Sequence, residues 1–110
     1  MKLRIDHQSI RLRLSEADLE KLHKQGFVAE TLHLPQGSLT FKLLMTNTCN
    51  TLTAFLDEES ITVEMPDNLA NHWIQTDEIG LYETIPLTQK GLSLKILIEK
   101  DFPCKHSSNG

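Results

Sequence analysis

Cysteine is scarce: Cys49 and Cys104 are the only thiols in 110 residues, and neither has a neighbouring cysteine at metal-ligand spacing. A chain of this length removes roughly two-thirds of its unfolded surface from water on folding, so it needs no covalent staple and reduced thiols are expected. Aromatic residues make up only 5% and are scattered, with no pair at strand spacing to form a base-stacking platform. No apolar run approaches the roughly 18 residues that would cross a membrane, and the opening MKLRIDHQSI holds no signal-peptide core, so a cytoplasmic protein with no membrane partner is expected. Charge of one sign is not in excess either. A net charge of -4 argues against a surface given over to nucleic acid.

Chemistry-bearing motifs are missing as well. There is no glycine-flanked serine, no phosphate-cradling glycine loop and no pair of carboxylates at a strand end, so no catalytic residue and no cofactor are assigned. His7, His23, His33, His72 and His106 match no zinc spacing, and Asp57-Glu58-Glu59 lacks the alternating oxygen ligands of a calcium loop, so no metal site is assigned. Internal repeats, linkers and low-complexity tracts are absent from the sequence, which predicts a single domain over residues 1–102 and a polar, fraying tail over 103–110.

What is there begins with Ile10 to Gly26. Ile10, Leu12 and Leu14 alternate with Arg11 and Arg13, which predicts a strand half buried on one face. Ser15 stands at an N-cap with Asp18 three residues on, Leu14 and Leu19 are spaced as a hydrophobic staple, and Gly26 supplies a left-handed stop. A helix over about 16–25 follows, with Leu19 and Leu22 facing inward. Lys2-Leu3-Arg4-Ile5 alternates in the same sense, and the polar Asp6 to Ser9 makes it a hairpin with Ile10 to Leu14.

Further alternations predict strands over Phe27–Leu34, Leu39–Met45, Thr51–Leu56, Ile61–Met65, Asp77–Ile85 and Leu92–Glu99, the last apolar enough to be central. Pro35-Gln36-Gly37 reads as the turn of a second hairpin, and Gly80 as a bulge or a close packing contact. Pro66 and Asp67 start a second helix over about 67–75, with Leu69, Trp73 and Ala70 or Ile74 as its buried stripe. The fold class is α+β: an antiparallel sheet of about seven or eight short strands, with two helices on one face, open to curling towards a half-barrel.

The first hairpin gathers Lys2, Arg4, Arg11 and Arg13 on one face, within reach of one anionic ligand. Outward arginines of an antiparallel sheet more often pair with cross-strand carboxylates, here Glu64, Glu83 or Glu99. Leu44, Phe55 and Leu97 are apolar residues on otherwise polar strand faces. They favour a non-enzymatic binding or interaction module whose partner is a second copy or another protein. Anion binding or an enzyme on the Arg4, Arg11 and Arg13 strip is the alternative, and nucleic-acid binding through the same strip ranks below both.

Met1 to Leu22 and Leu94 to Cys104 resemble a family of short uncharacterised bacterial proteins that open with a pattern like MKLRI…SIRLRLSEADLEKL and close with one like LKILIEKDFPC. That resemblance implies one α+β domain in a cytoplasmic setting, and no activity, cofactor, partner or site residue. Ile61 to Pro66 followed by a short helix and Asp77 is similar to the strand-proline-helix-strand pattern of swapped-hairpin transcription factors that bind DNA as dimers. This chain is about twice the length of that module, and its helix carries Trp73 as a packed core residue.

Overall fold

A computed structural model describes residues 1–89 and 91–102. The elements run β1 (Lys2–Asp6), β2 (Ser9–Leu14), α1 (Glu16–Gln25), β3 (Phe27–Leu34), β4 (Gly37–Thr46), β5 (Thr53–Leu56), β6 (Ser60–Pro66), α2 (Asp67–Gln75), β7 (Gly80–Pro86) and β8 (Ser93–Lys100). The α+β class, the eight strands and both helices are those the sequence predicts. The expected tail over 103–110 lies outside the described residues.

The strands fall into two four-stranded sheets, in the orders β1-β2-β8-β7 and β3-β4-β6-β5. Each sheet consists of two antiparallel hairpins joined through one parallel pairing, β2 with β8 and β4 with β6. The physical origin is the helices. α1 carries the chain from β2 in one sheet to β3 in the other, and α2 carries it from β6 back to β7. Consecutive hairpins on either side of a helix are therefore never in the same sheet.

The connectivity is that of two ββαββ units, β1 to β4 and β5 to β8, which exchange hairpins. The sequence shows no repeat, yet the registers align the units residue by residue. Ile10 lies between Ile5 and Ile96, and Ile96 faces Glu83; Ile61 lies between Leu56 and Phe41, and Phe41 faces Glu30. Leu12 and Leu14 before the first helix correspond in the same way to Val63 and Met65 before the second. All four are buried.

One core unites both sheets and both helices, with Leu12, Leu14, Leu22, Leu43, Leu52, Met65, Trp73, Ile96 and Ile98 at its centre. Helix α1 begins with the predicted capping box: Ser15 Oγ accepts from the Asp18 N–H at 3.1 Å and Asp18 Oδ2 accepts from the Ser15 N–H at 3.0 Å. Gly26, at φ 85°, ends it. In α2, Ala70 and Trp73 are buried, but Leu69 is 39% exposed and stands outside the expected stripe. It occupies the place that Asp18 holds in α1, at the helix's N-terminal rim.

Gly80 is a close-packing position. A Cβ there would meet the Tyr82 hydroxyl at 2.5 Å and the Ile98 carbonyl oxygen at 2.9 Å. The tyrosine end can swing aside; the backbone carbonyl cannot. Gly80→Ala is expected to destabilise the fold by roughly 1–3 kcal/mol, read as a lower urea midpoint, and an unchanged midpoint would show that β7 shifts without cost.

Candidate functional site

The basic strip is assembled as the sequence implies. Lys2 pairs in register with Arg13 and Arg4 with Arg11, so all four lie on the outward face of the β1-β2 hairpin. That face continues across the sheet through Leu97 and Glu99 on β8, which stand beside Arg11 and Arg13, to Tyr82 on β7.

Carboxylates on the same face meet most of this charge. Arg11 Nε lies 3.3 Å from Glu99, Arg13 3.2 Å from Asp101, and Lys2 Nζ 2.9 Å from the other oxygen of Asp101. Of the carboxylates expected as partners, only Glu99 serves. Glu83 shares the inward face with Ile96, and Glu64 belongs to the other sheet. The hydrogen bond from Lys2, followed by the charges of Lys2 and Arg13, holds the Asp101 carboxyl below its ordinary range. Tyr82 donates to Glu99 at 3.0 Å, and burial together with that bond pushes its hydroxyl pKa up. Among the described residues Arg4 forms no ion pair. Lys2 and Arg4 also lie on the edge strand β1, where charge discourages pairing with a further strand. Exposed pairs such as these, screened by solvent, add little to stability.

Three surface clefts have none of Lys2, Arg4, Arg11 or Arg13 in their walls. One of about 450 Å³ opens between α1 and the start of the α2–β7 connection, over an apolar floor of Leu19, Ile74 and Phe102 with Glu20, His23 and Lys100 around it. Lys100 is buried: its Nζ donates to the Thr76 carbonyl at 2.6 Å and lies 5.7 Å from the Trp73 ring centroid. In the other ββαββ unit the same place is taken by Met45. The alternation of Leu94, Ile96 and Ile98 places Lys100 in the inward phase, a signal present in the sequence itself. Among the described residues no three His, Cys, Asp or Glu side chains come together to hold a metal ion. Cys49 is a free thiol whose pKa burial and the charges of Glu64 and Asp67 push up, which leaves it protonated and unreactive at neutral pH; Cys104 lies outside the described residues.

The surface that stands out is apolar. On the inward face of the β3-β4-β6-β5 sheet, Leu32 and Leu39 face each other, and beside them Phe41, Ile61 and Leu56 form a cross-strand row. Leu56 is 81% exposed and Leu32 and Leu34 about half, and none of these side chains packs against the core. In the other sheet the equivalent Ile10 and Ile96 are buried, and Ile85 and Leu94 pack on the core. The residues named from sequence as outward contacts fare differently. Phe55 is exposed, but Leu44 and Leu97 are half-buried, Leu97 lying between Arg11 and Tyr82.

The family model for a family of unknown function, DUF7009, matches residues 1–109. This chain belongs to that family. Membership covers nearly the whole chain and brings no activity, ligand or partner with it. Comparison with curated proteins and with solved structures found no match. For this DUF7009 chain the geometry is thus the sole guide to function, and no helix among its described residues is long and apolar enough to cross a membrane.

Proposed function

We propose that this protein is a non-enzymatic interaction module whose contact surface is the uncovered inward half-face of the β3-β4-β6-β5 sheet. One observation carries the reading: six apolar side chains, Leu32, Leu34, Leu39, Phe41, Leu56 and Ile61, lie contiguous in register and outside the core. Scattered exposed apolar residues need no explanation, but a contiguous patch of this kind marks a place where something docks. A cytoplasmic setting fits a free Cys49.

The reading is tested with 8-anilinonaphthalene-1-sulfonate at low protein concentration. Wild type is expected to bind the dye, and Leu34→Glu/Leu56→Glu to lose that binding with its circular dichroism unchanged. No dye binding, or binding that the double variant retains, would overturn it.

The alternative, an anionic ligand held by Lys2, Arg4, Arg11 and Arg13, has less support, because Glu99 and Asp101 already meet three of the four. Nucleic acid has less again, given the net charge of -4. Retention on heparin at low salt, lost in Arg4→Ala, would favour the strip over the apolar face.

A further inference from the structure

We infer that the occupant of this face is a second copy of the same chain, packed apolar face to apolar face about a twofold axis. The inference rests on the reading of the face as a contact surface and adds the identity of the partner. The two ββαββ units provide the first argument. They place equivalent apolar rows in the two sheets, Ile5-Ile10-Ile96 and Leu56-Ile61-Phe41; in the first Ile10 and Ile96 are buried and the edge residue Ile5 is 57% exposed, while in the second Leu56 is 81% exposed and Ile61 and Phe41 are half-buried. The open sheet also has the longer hairpin: β3 and β4 have 8 and 10 residues, against 7 and 8 in β7 and β8 of the other sheet. The extra length projects apolar positions, Leu34 among them, past the described residues that could cover them. Every copy carries this same deficit, and an isologous contact removes it from both at once while closing the assembly.

Area is the second argument. Leu56 at 81% exposed and Leu32 and Leu34 at about half make up most of the open surface, with the half-buried Leu39, Phe41 and Ile61 beside them, a patch that suits a contact below the roughly 800 Å² per partner of a standard interface. That is enough for a weak, reversible dimer.

Charge is the third. The face carries one carboxylate, Glu30, and the Met1 ammonium lies 3.1 Å from it. No uncompensated charge has to be buried. The acidic turn Asp57-Glu58-Glu59 follows Leu56 at the rim, so two copies bring like charges nearer one another and salt should tighten the contact. A contact between the acidic turn of one copy and the basic strip of the next would weaken with salt.

Sedimentation velocity between about 5 and 500 µM tests the inference, with a dissociation constant on the order of 10 µM expected for wild type. Leu34→Glu/Leu56→Glu should weaken association at least tenfold. Phe55→Ser, next in sequence but on the opposite face, should leave it unchanged, and raising salt from about 50 to 500 mM should strengthen it. A wild type that stays monomeric throughout overturns the inference. If the dye still distinguishes it from the double variant, the face remains a contact surface for a different protein; if not, both readings fall. A dimer broken by Phe55→Ser and not by the double variant, or one that salt dissolves, also overturns it.

Discussion

Trp73→Ala is expected to destabilise the protein by roughly 3–5 kcal/mol, the range for removing a fully buried tryptophan and leaving its space partly unfilled. Trp73 has no exposed surface and belongs to the core cluster, on a helix that packs against α1, β4 and β6. Its loss also removes the ring face over which the Lys100 ammonium sits, leaving a buried lysine with one fewer favourable contact. Domain stabilities are about 5–15 kcal/mol, so the variant should unfold at a far lower urea concentration or at physiological temperature. Because Trp73 is the only tryptophan, the measurement is far-ultraviolet circular dichroism rather than fluorescence. Trp73→Phe separates the ring from its N–H. Trp73 Nε1 donates to the Ile79 carbonyl at 3.0 Å, but that oxygen also accepts from the Lys100 backbone N–H at 3.0 Å and would not be orphaned. Trp73→Phe should therefore cost much less, about 1–2 kcal/mol, mostly as lost volume. Equal costs for the two variants would contradict a packing role.

Local chemistry made much of this fold legible. Ser15, Asp18 and Gly26 fixed the first helix to the residue, because a cap satisfies particular N–H and C=O groups at particular offsets. Alternation identified the strands and which side of each faces the core. It could not show that the strands divide between two sheets. β2 finds β8, and β4 finds β6, only after the helices have carried intervening hairpins away, and nothing in a strand's own residues encodes a parallel neighbour that distant. The internal duplication stayed hidden for a related reason. Equivalent positions share an inward direction more often than an identity: Ile10 matches Ile61, but Leu22 corresponds to Trp73, Met45 to Lys100 and Leu3 to Ala54.

At the candidate sites the sequence again gave direction without cover. It placed Lys2, Arg4, Arg11 and Arg13 on one face, but Asp101, which holds two of them, lies one residue beyond the strand and outside any alternation. Leu32, Leu34 and Leu56 are directed to the inward face of their sheet; that no described residue of the chain covers them is a property of the assembled molecule.

Asp18 is the second position where a single substitution should have a large effect, because the Ser15 N–H and the Met1 ammonium both converge on its carboxylate. It completes the capping box with Ser15, and its Oδ2 also lies 2.8 Å from the Met1 ammonium, which holds Glu30 of β3 as well. The one side chain thus joins the start of α1 to the strands of both sheets. Burial works against its charge, but the bonds from the ammonium and from Ser15 outweigh that and hold its pKa below the ordinary 3.8. Burial likewise works against the ammonium, and Asp18 and Glu30 raise its pKa above 8.0. A depressed carboxyl adds stability that is present above about pH 4 and lost as pH falls through its folded value. A raised amine adds stability that is present below about pH 8 and lost as pH rises through its folded value. Wild-type stability should therefore form a plateau between, falling on both sides. Asp18→Ala removes the cap and a charged partner of a sequestered ammonium and should cost roughly 2–4 kcal/mol at pH 7. Asp18→Asn keeps an oxygen for the Ser15 N–H and should cost about half of that. In Asp18→Asn the acid limb due to this carboxyl disappears and the alkaline limb shrinks to what Glu30 sustains, whereas acetylating the terminal amine should flatten the alkaline limb and leave the capping bonds in place. Urea midpoints from pH 3 to 10 for wild type and Asp18→Asn would decide it, and superimposable profiles would show that the three-way contact contributes nothing to stability.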